Sequence, residues 1–268
     1  MTGVDELGRI VLERLRDRVA IVTGAGQGIG EAIARRFAAE GAHVAVAEIS
    51  SALGEATAAA LRAETGTGAR YIHCDVADTS SVEAMVAETT ATLGAPDILV
   101  NNAGIAVFGD PLGITDADWA RCMSVDLDGA WFCCRAVLPA MLARGSGAIV
   151  NIASNHSFQI IRNTFPYPIA KHGLLGLTRS LALEYADRGI TVNAISPGYI
   201  DTPLNQRMFA ENPDPDARRK VEAKQPVGRL GRPDEVAAVA AMLASDEARF
   251  IVGANIVIDG GVTIRMYE

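Results

Sequence analysis

The chain has 268 residues, of which 49% are hydrophobic, and a formal charge of −8. That is enough for one large α/β domain with a sizeable core. It argues against nucleic acid as a partner, since no basic cluster interleaved with aromatics occurs, and no run of about 18 apolar residues is present to span a membrane. The N-terminal segment carries early acids and lacks an apolar centre, so it does not read as a secretory signal. The cysteines, Cys74, Cys122, Cys133 and Cys134, form no CxxC pair and read as small buried thiols of a reducing, cytoplasmic compartment. The histidines, His43, His73, His156 and His172, have no metal-ligand spacing, so no metal site is expected.

Residues 1–17 read as an N-terminal extension. Val4, Leu7, Val11 and Leu15 recur at helical spacing there, which fits a short amphipathic helix or a frayed tail. Val19–Thr23 is a first strand, followed by a glycine turn, Gly24 to Gly30, and a helix bearing Ile33, Ala34, Phe37 and Ala38. A second strand runs from His43 to Ala47 and ends at Glu48. A helix from Ser50 to Glu64 leads to a third strand, Tyr71–Cys74, ending at Asp75. A helix from Ser80 to Leu93, capped by Thr79 or Ser80, precedes the strand Asp97–Val100, which runs into Asn101-Asn102-Ala103-Gly104. One long helix is expected from Asp116 to Ala143, then the strand Ala148–Ile152, a helix from near Pro166 to Ala186 and the strand Thr191–Ile195. Residues 202–224 resemble a mobile helical insertion. Pro233 opens a last helix to about Ala244, and Asn255–Ile258 is the last strand. Seven strands alternating with helices predict a mainly parallel sheet covered on both faces, as a single domain over 18–268.

The glycine turn fails the GxGxxG spacing, because position 29 is isoleucine. It meets GxxxGxG through Gly24, Gly28 and Gly30. Glycine allows positive φ and close backbone approach to a phosphate, and the helix that follows offers free N–H groups to a pyrophosphate. Farther along, Ser154, Tyr167 and Lys171 stand out. Tyr167 and Lys171 are four residues apart and share one helix face. A nearby ammonium lowers the pKa of a phenol, which ordinarily lies near 10, towards the range useful for acid/base work. Ser154 follows an apolar strand, at the end of an α/β sheet where ligands bind.

Taken in order, Thr23-Gly24-Ala25-Gly26-Gln27-Gly28-Ile29-Gly30, Asn101-Asn102-Ala103-Gly104, Ser154 with Tyr167 and Lys171, and Pro197-Gly198 resemble the classical short-chain dehydrogenase/reductase family over about residues 17–262. The resemblance implies a doubly wound Rossmann fold with strand order 3-2-1-4-5-6-7, a nicotinamide cofactor and a homotetramer. It implies that Tyr167 is the acid/base and that Lys171 binds the nicotinamide ribose and lowers the tyrosine pKa. Ser154 then polarises the carbonyl of a small alcohol or ketone. Gly24, Gln27, Gly28, Ile29, Gly30, Asp75, Val76, Asn102, Ala103, Gly104, Pro197, Gly198, Ile200 and Thr202 would line the cofactor. One position departs from the family. An asparagine is usual where Val125-Asp126-Leu127 stands here. The family uses that residue's backbone carbonyl in a proton relay, which Asp126 can also supply, while its carboxylate could weaken the pull of Lys171 on Tyr167.

Glu48 closes the second strand, eighteen residues after Gly30. An acid there hydrogen-bonds the ribose hydroxyls and repels a 2′-phosphate, so NAD is the expected cofactor. No cation stands in the turn or directly after Glu48, and Arg35 and Arg36 should point away. The substrate is expected among secondary alcohols, with sugars, polyols or deoxy-sugar acids suggested by His156, Arg162 and the tail residue Arg265. An Arg265 guanidinium reaching a neighbouring subunit would suit a carboxylate. The alternatives are a 3-oxoacyl-[acyl carrier protein] reductase, disfavoured by the acidic charge and Glu48, and a non-catalytic dinucleotide-binding scaffold, disfavoured because Ser154, Tyr167 and Lys171 are all present.

Overall fold

The computed structural model describes residues 2–4 and 10–266. Seven parallel strands form the sheet: β1 (Val19–Thr23), β2 (His43–Glu48), β3 (Ala69–His73), β4 (Ile98–Asn101), β5 (Gly147–Ile152), β6 (Ile190–Pro197) and β7 (Asn255–Ile258). Their order across the sheet is 3-2-1-4-5-6-7. The central strands read as unbroken apolar runs because both faces are covered. Ala20, Val22, Val44 and Val46 point into a core with Ile33 and Phe37 of helix α1 (Gly28–Ala39) and with Val236 and Ala240 of a C-terminal helix. Their neighbours Ile21, Ala45, Leu99 and Ile149 point the other way, onto Met85, Cys133, Val137 and Met141. All four cysteines are buried and free.

The remaining helices are α2 (Ser51–Thr65), α3 (Thr79–Thr92), α4 (Asp116–Met123), α5 (Gly129–Arg144), α6 (Tyr167–Tyr185), α7 (Pro203–Ala210), α8 (Ala217–Lys224) and α9 (Pro233–Ala244). Helix α3 is capped by Asp78, whose side chain accepts the Ser80 N–H, and not by Thr79 or Ser80 as expected. The long helix expected over 116–143 is interrupted by a π-helical turn, Ser124–Asp128, between α4 and α5. Such turns insert a residue into the helical ladder and often accompany functional sites.

The N-terminal segment also departs from expectation. Thr2–Val4 and Ile10–Leu12 pair as an antiparallel ribbon, so Val4 and Val11 lie in strands. Leu7 lies outside the described residues. Leu15 is already part of the core beside α1, and Arg14 pairs with Glu40 at the end of that helix at 2.6 Å. A helical spacing carried by so few apolar residues does not by itself distinguish a helix from a ribbon. Among the described residues, no helix is long and apolar enough to cross a membrane, and no cluster of metal-ligating side chains forms.

Candidate active site

The carboxyl ends of the central strands open into a cavity of about 610 Å³. This is the edge at which open α/β sheets bind ligands. The turn after β1 forms one wall. Gly24 and Gly28 both take positive φ, at 62° and 63°. A Cβ on Gly24 would lie 2.9 Å from the Ala103 Cα, so the turn and the strand-end segment after β4 are pressed together. Asn102 stitches them: its Nδ2 donates to the Thr23 carbonyl at 2.9 Å and to the Gly24 carbonyl at 3.1 Å. The backbone N–H groups of Asn102 and Ala103 both donate to Thr23 Oγ1 at 3.0 Å.

Gly24, Gln27, Gly28, Ile29, Glu48, Asp75, Val76, Asn102, Ala103, Gly104, Pro197, Gly198, Ile200 and Thr202, the candidates for holding the cofactor, all line the cavity. Gly30 does not. It sits behind the turn, where a Cβ would lie 2.2 Å from the Gly24 carbonyl oxygen, so its part is to let the turn close on the helix.

Glu48 is buried at the end of β2. Its Oε2 accepts the Gly26 N–H at 3.0 Å and its Oε1 accepts the Ser50 N–H at 3.1 Å. A Cβ on Gly26 would come within 2.9 Å of Glu48 Oε2, so glycine is what lets the carboxylate reach the turn. Arg35 is engaged by Glu31 and Glu64, and Arg36 by Glu40 at 2.5 Å. Asp75 accepts the Ala77 N–H at 3.0 Å. A glycine turn with no room for side chains, opening onto an oriented carboxylate, fits the pyrophosphate and ribose of a dinucleotide.

The reacting end lies across the cavity. Tyr167 is the first residue of α6, and Lys171 follows one turn later on the same face, with Nζ 5.5 Å from the tyrosine ring centroid. Lys171 Nζ donates to the Ile152 carbonyl at 3.3 Å and pairs with Asp126 Oδ1 at 3.2 Å. Both partners are almost fully buried. Asp126 is presented by the π-helical turn, and its two oxygens share the Ile105 N–H, each at 3.3 Å. Burial pushes the Asp126 carboxyl above the usual carboxylate range, opposed by Lys171. Burial is the largest single influence on the Lys171 ammonium and works against it, but Asp126, Tyr167 and Cys122 together outweigh it and the net direction is up. Burial also raises Tyr167; Lys171 and a hydrogen bond with Ser154 pull it down, and Asp126 pushes it further up. The expected lowering of the tyrosine is therefore not the net result in this structure. The pull of Lys171 is present, but it is smaller than the cost of burying a phenolate.

Ser154 follows β5 and its Oγ accepts the His156 N–H at 3.1 Å. The His156 ring stands edge-on to Tyr167 at 5.9 Å, lines the cavity, and has a buried Nδ1 that lacks a hydrogen-bond partner. Burial holds it below its ordinary pKa, and hence neutral at pH 7. The other substrate candidates are placed differently. Arg162 is exposed and does not line the cavity, although its neighbours Ile161 and Thr164 do. Arg265 is exposed and donates to the Lys224 carbonyl at 3.3 Å, outside the cavity lining. Arg162 was credited by its closeness in sequence to Tyr167, which does not fix where a loop side chain points, and Arg265 as a tail residue reaching a neighbouring subunit.

It also missed an apolar arc of Ile105, Phe108, Tyr199, Leu204 and Met208. Phe108 is held edge-on to Tyr167 at 5.4 Å by a two-residue strand, Phe108–Gly109, pairing with Phe165–Pro166. So short a pairing leaves no periodic signal. Leu204 and Met208 belong to α7, within the segment expected to be a mobile insertion.

The family profile described as Enoyl-(Acyl carrier protein) reductase matches residues 24–263. The cis-4-hydroxycyclohexanecarboxylate dehydrogenase of Sinomonas cyclohexanicum is 45% identical over 252 residues, covering 94% of this chain and 98% of that protein. The D-threitol dehydrogenase of Mycolicibacterium smegmatis is 41% identical over 265 residues, covering 99% and 100%. The solved gluconate 5-dehydrogenase of Burkholderia cenocepacia J2315, in complex with NADP and tartrate, aligns with a TM-score of 0.88 at 35% identity, covering 95% of this chain and 99% of that one. The chain belongs to the classical short-chain dehydrogenase/reductase family. It is an NAD(P)-dependent oxidoreductase acting on CH–OH groups.

Proposed function

We propose that this enzyme interconverts a secondary alcohol and its ketone with NAD in preference to NADP, on a compact polyol or hydroxylated ring. The observation that carries the reaction is the convergence of Ser154, Tyr167 and the buried Lys171 on one end of a cavity whose other end is the glycine turn. The nicotinamide, when bound, accepts or returns the hydride. Tyr167 takes the proton of the substrate hydroxyl during oxidation and gives it back during reduction. Ser154 hydrogen-bonds the substrate oxygen and keeps it beside the phenol. Lys171 favours the phenolate by its charge.

Glu48 supports the choice of NAD. Its carboxylate is anchored by two backbone N–H groups and keeps acceptor capacity for ribose hydroxyls, whereas a 2′-phosphate would meet like charge. Arg35 and Arg36 of the helix that follows the glycine turn are held by carboxylates of their own. The apolar arc with His156, Asn155 and Thr164 supports a substrate with one apolar face and a few hydroxyls. Three of the relatives act, by their names, on a hydroxycyclohexane acid, a threitol and a gluconate. Exposed Leu112, Phe250 and Ile264 support assembly with further copies, for which a homotetramer is our reading. The buried free thiols suit a reducing cytoplasm.

The test is a panel of polyols, hydroxycyclohexanes, sugar acids and simple secondary alcohols, each offered with NAD and with NADP and followed by nicotinamide absorbance. Oxidation of a polyol or ring alcohol with NAD is the expected result. Activity confined to acyl-carrier thioesters with NADPH would favour the carrier-protein reductase instead.

A further inference from the structure

The pair formed by Asp126 and Lys171 has a consequence for the reaction that neither partner has alone. Asp126 Oδ1 is 3.2 Å from Lys171 Nζ, with side-chain exposures of 0% and 5%. The contact is built for, and not incidental. The π-helical turn carries Asp126 inward, the Ile105 N–H is shared by its two oxygens, and Gly104 leaves the space, since a Cβ there would lie 2.7 Å from Asp126 Oδ1. Cys122 of α4 completes the enclosure, with Sγ 3.9 Å from Asp126 Oδ2.

We propose that the Asp126 carboxylate is a positioning residue that neutralises Lys171 and thereby sets the pH at which the Tyr167 site gives up its proton, moving alcohol oxidation towards the alkaline side. The proposal rests on the reading of Tyr167 as the acid/base. The charged and titratable groups acting on Tyr167 are Lys171 on its own helix, Asp126 on the π-helical turn and Cys122 on α4; Ser154 hydrogen-bonds it, and neutral His156 stands edge-on to it. With Asp126 ionised, Lys171 charged and Tyr167 protonated, the trio carries no net charge. Losing the tyrosine proton takes it to −1. With asparagine in place of Asp126, the same loss takes the trio from +1 to 0. A buried site resists net charge, so the variant releases the proton at lower pH. This holds for the trio as a unit, whichever member formally carries the proton, because closely coupled groups titrate together.

The experiment compares pH profiles of kcat/KM for alcohol oxidation in the parent and in Asp126→Asn. It is paired with carbon-13 tyrosine NMR of the protein alone, the Tyr167 signal being assigned from Tyr167→Phe. The midpoint should fall by about one pH unit or more in both readouts, the scale expected for a charge within about 4–6 Å. A carboxylate with a merely structural part would change stability or rate and leave both midpoints in place. Should Asp126→Asn fold poorly, Asp126→Ser makes the same comparison. If Tyr167→Phe remains active, the acid/base reading itself is wrong. If Tyr167→Phe is inactive and both midpoints stay where they are in the parent, only the role given to Asp126 is overturned.

Discussion

At the scale of single residues the site depends on groups whose burial makes their charge costly. Tyr167 is the clearest case. Replacing it with phenylalanine removes the proton carrier and little else, because its ring contacts with Phe108 and His156 are kept. We expect Tyr167→Phe to lower kcat/KM by about 10³-fold, within the range found for general acid/base groups, while NADH binding measured by fluorescence is preserved. For Glu48 the measurement is a ratio. The parent should favour NAD over NADP by at least about tenfold in kcat/KM, roughly 1.4 kcal/mol, and Glu48→Ala should narrow that gap; parity in the parent would remove the role of Glu48. Helical spacing and a strand end drew attention to Ser154, Tyr167 and Lys171 in the sequence, while the roles given to them rest on the resemblance carried by the ordered set of motifs along the chain. The balance of forces on Tyr167 was not legible, since it depends on how deeply the phenol is enclosed. That the Asp126 carboxylate could act on Lys171 was legible from its place in the resemblance, whereas the π-helical turn that carries it there was announced by no local pattern.

At the scale of elements, α7 and α8 matter most to access. Residues of α7 line the cavity, and the loop before it is clasped to α8: Arg218 donates to Asp201 Oδ2 at 2.8 Å, while Gln206 donates to Asp201 Oδ1 at 3.0 Å. The ion pair is largely exposed, and such pairs contribute about 1 kcal/mol at most. Arg218→Ala should therefore raise KM by no more than about fivefold and barely move Tm, which steady-state kinetics and a thermal melt would show together. The strands were legible as apolar runs because a sheet covered on both faces demands them. The N-terminal ribbon and the short pairing of Phe108–Gly109 with Phe165–Pro166 were not, since each is specified by its partner and not by its own sequence.

Over the whole molecule, the two cores on opposite faces of the sheet hold the cavity walls in register. Phe37, on the helix that follows the glycine turn, is fully buried in the core formed with the sheet and α9. Phe37→Ala should cost about 3–5 kcal/mol through the cavity it leaves, seen as a Tm lowered by about 10 °C. Saturating NAD should recover part of that loss by mass action, since it binds only the folded chain. The order of seven strands was expected from resemblance, and the continuous burial of the central strands explains physically why the sequence accepts a sheet covered by helices on both faces.

The turn that anchors Glu48 has one more implication, for redesign. Two backbone N–H groups, from Gly26 and Ser50, converge on its carboxylate. Remove the carboxylate and both donors are left facing the same small space, the arrangement that elsewhere forms an anion nest. On the proposed reading of Glu48, admitting a phosphorylated ribose calls for a deletion before any addition: with the glutamate gone, the Gly26 and Ser50 N–H groups are the main-chain donors left to receive the phosphate.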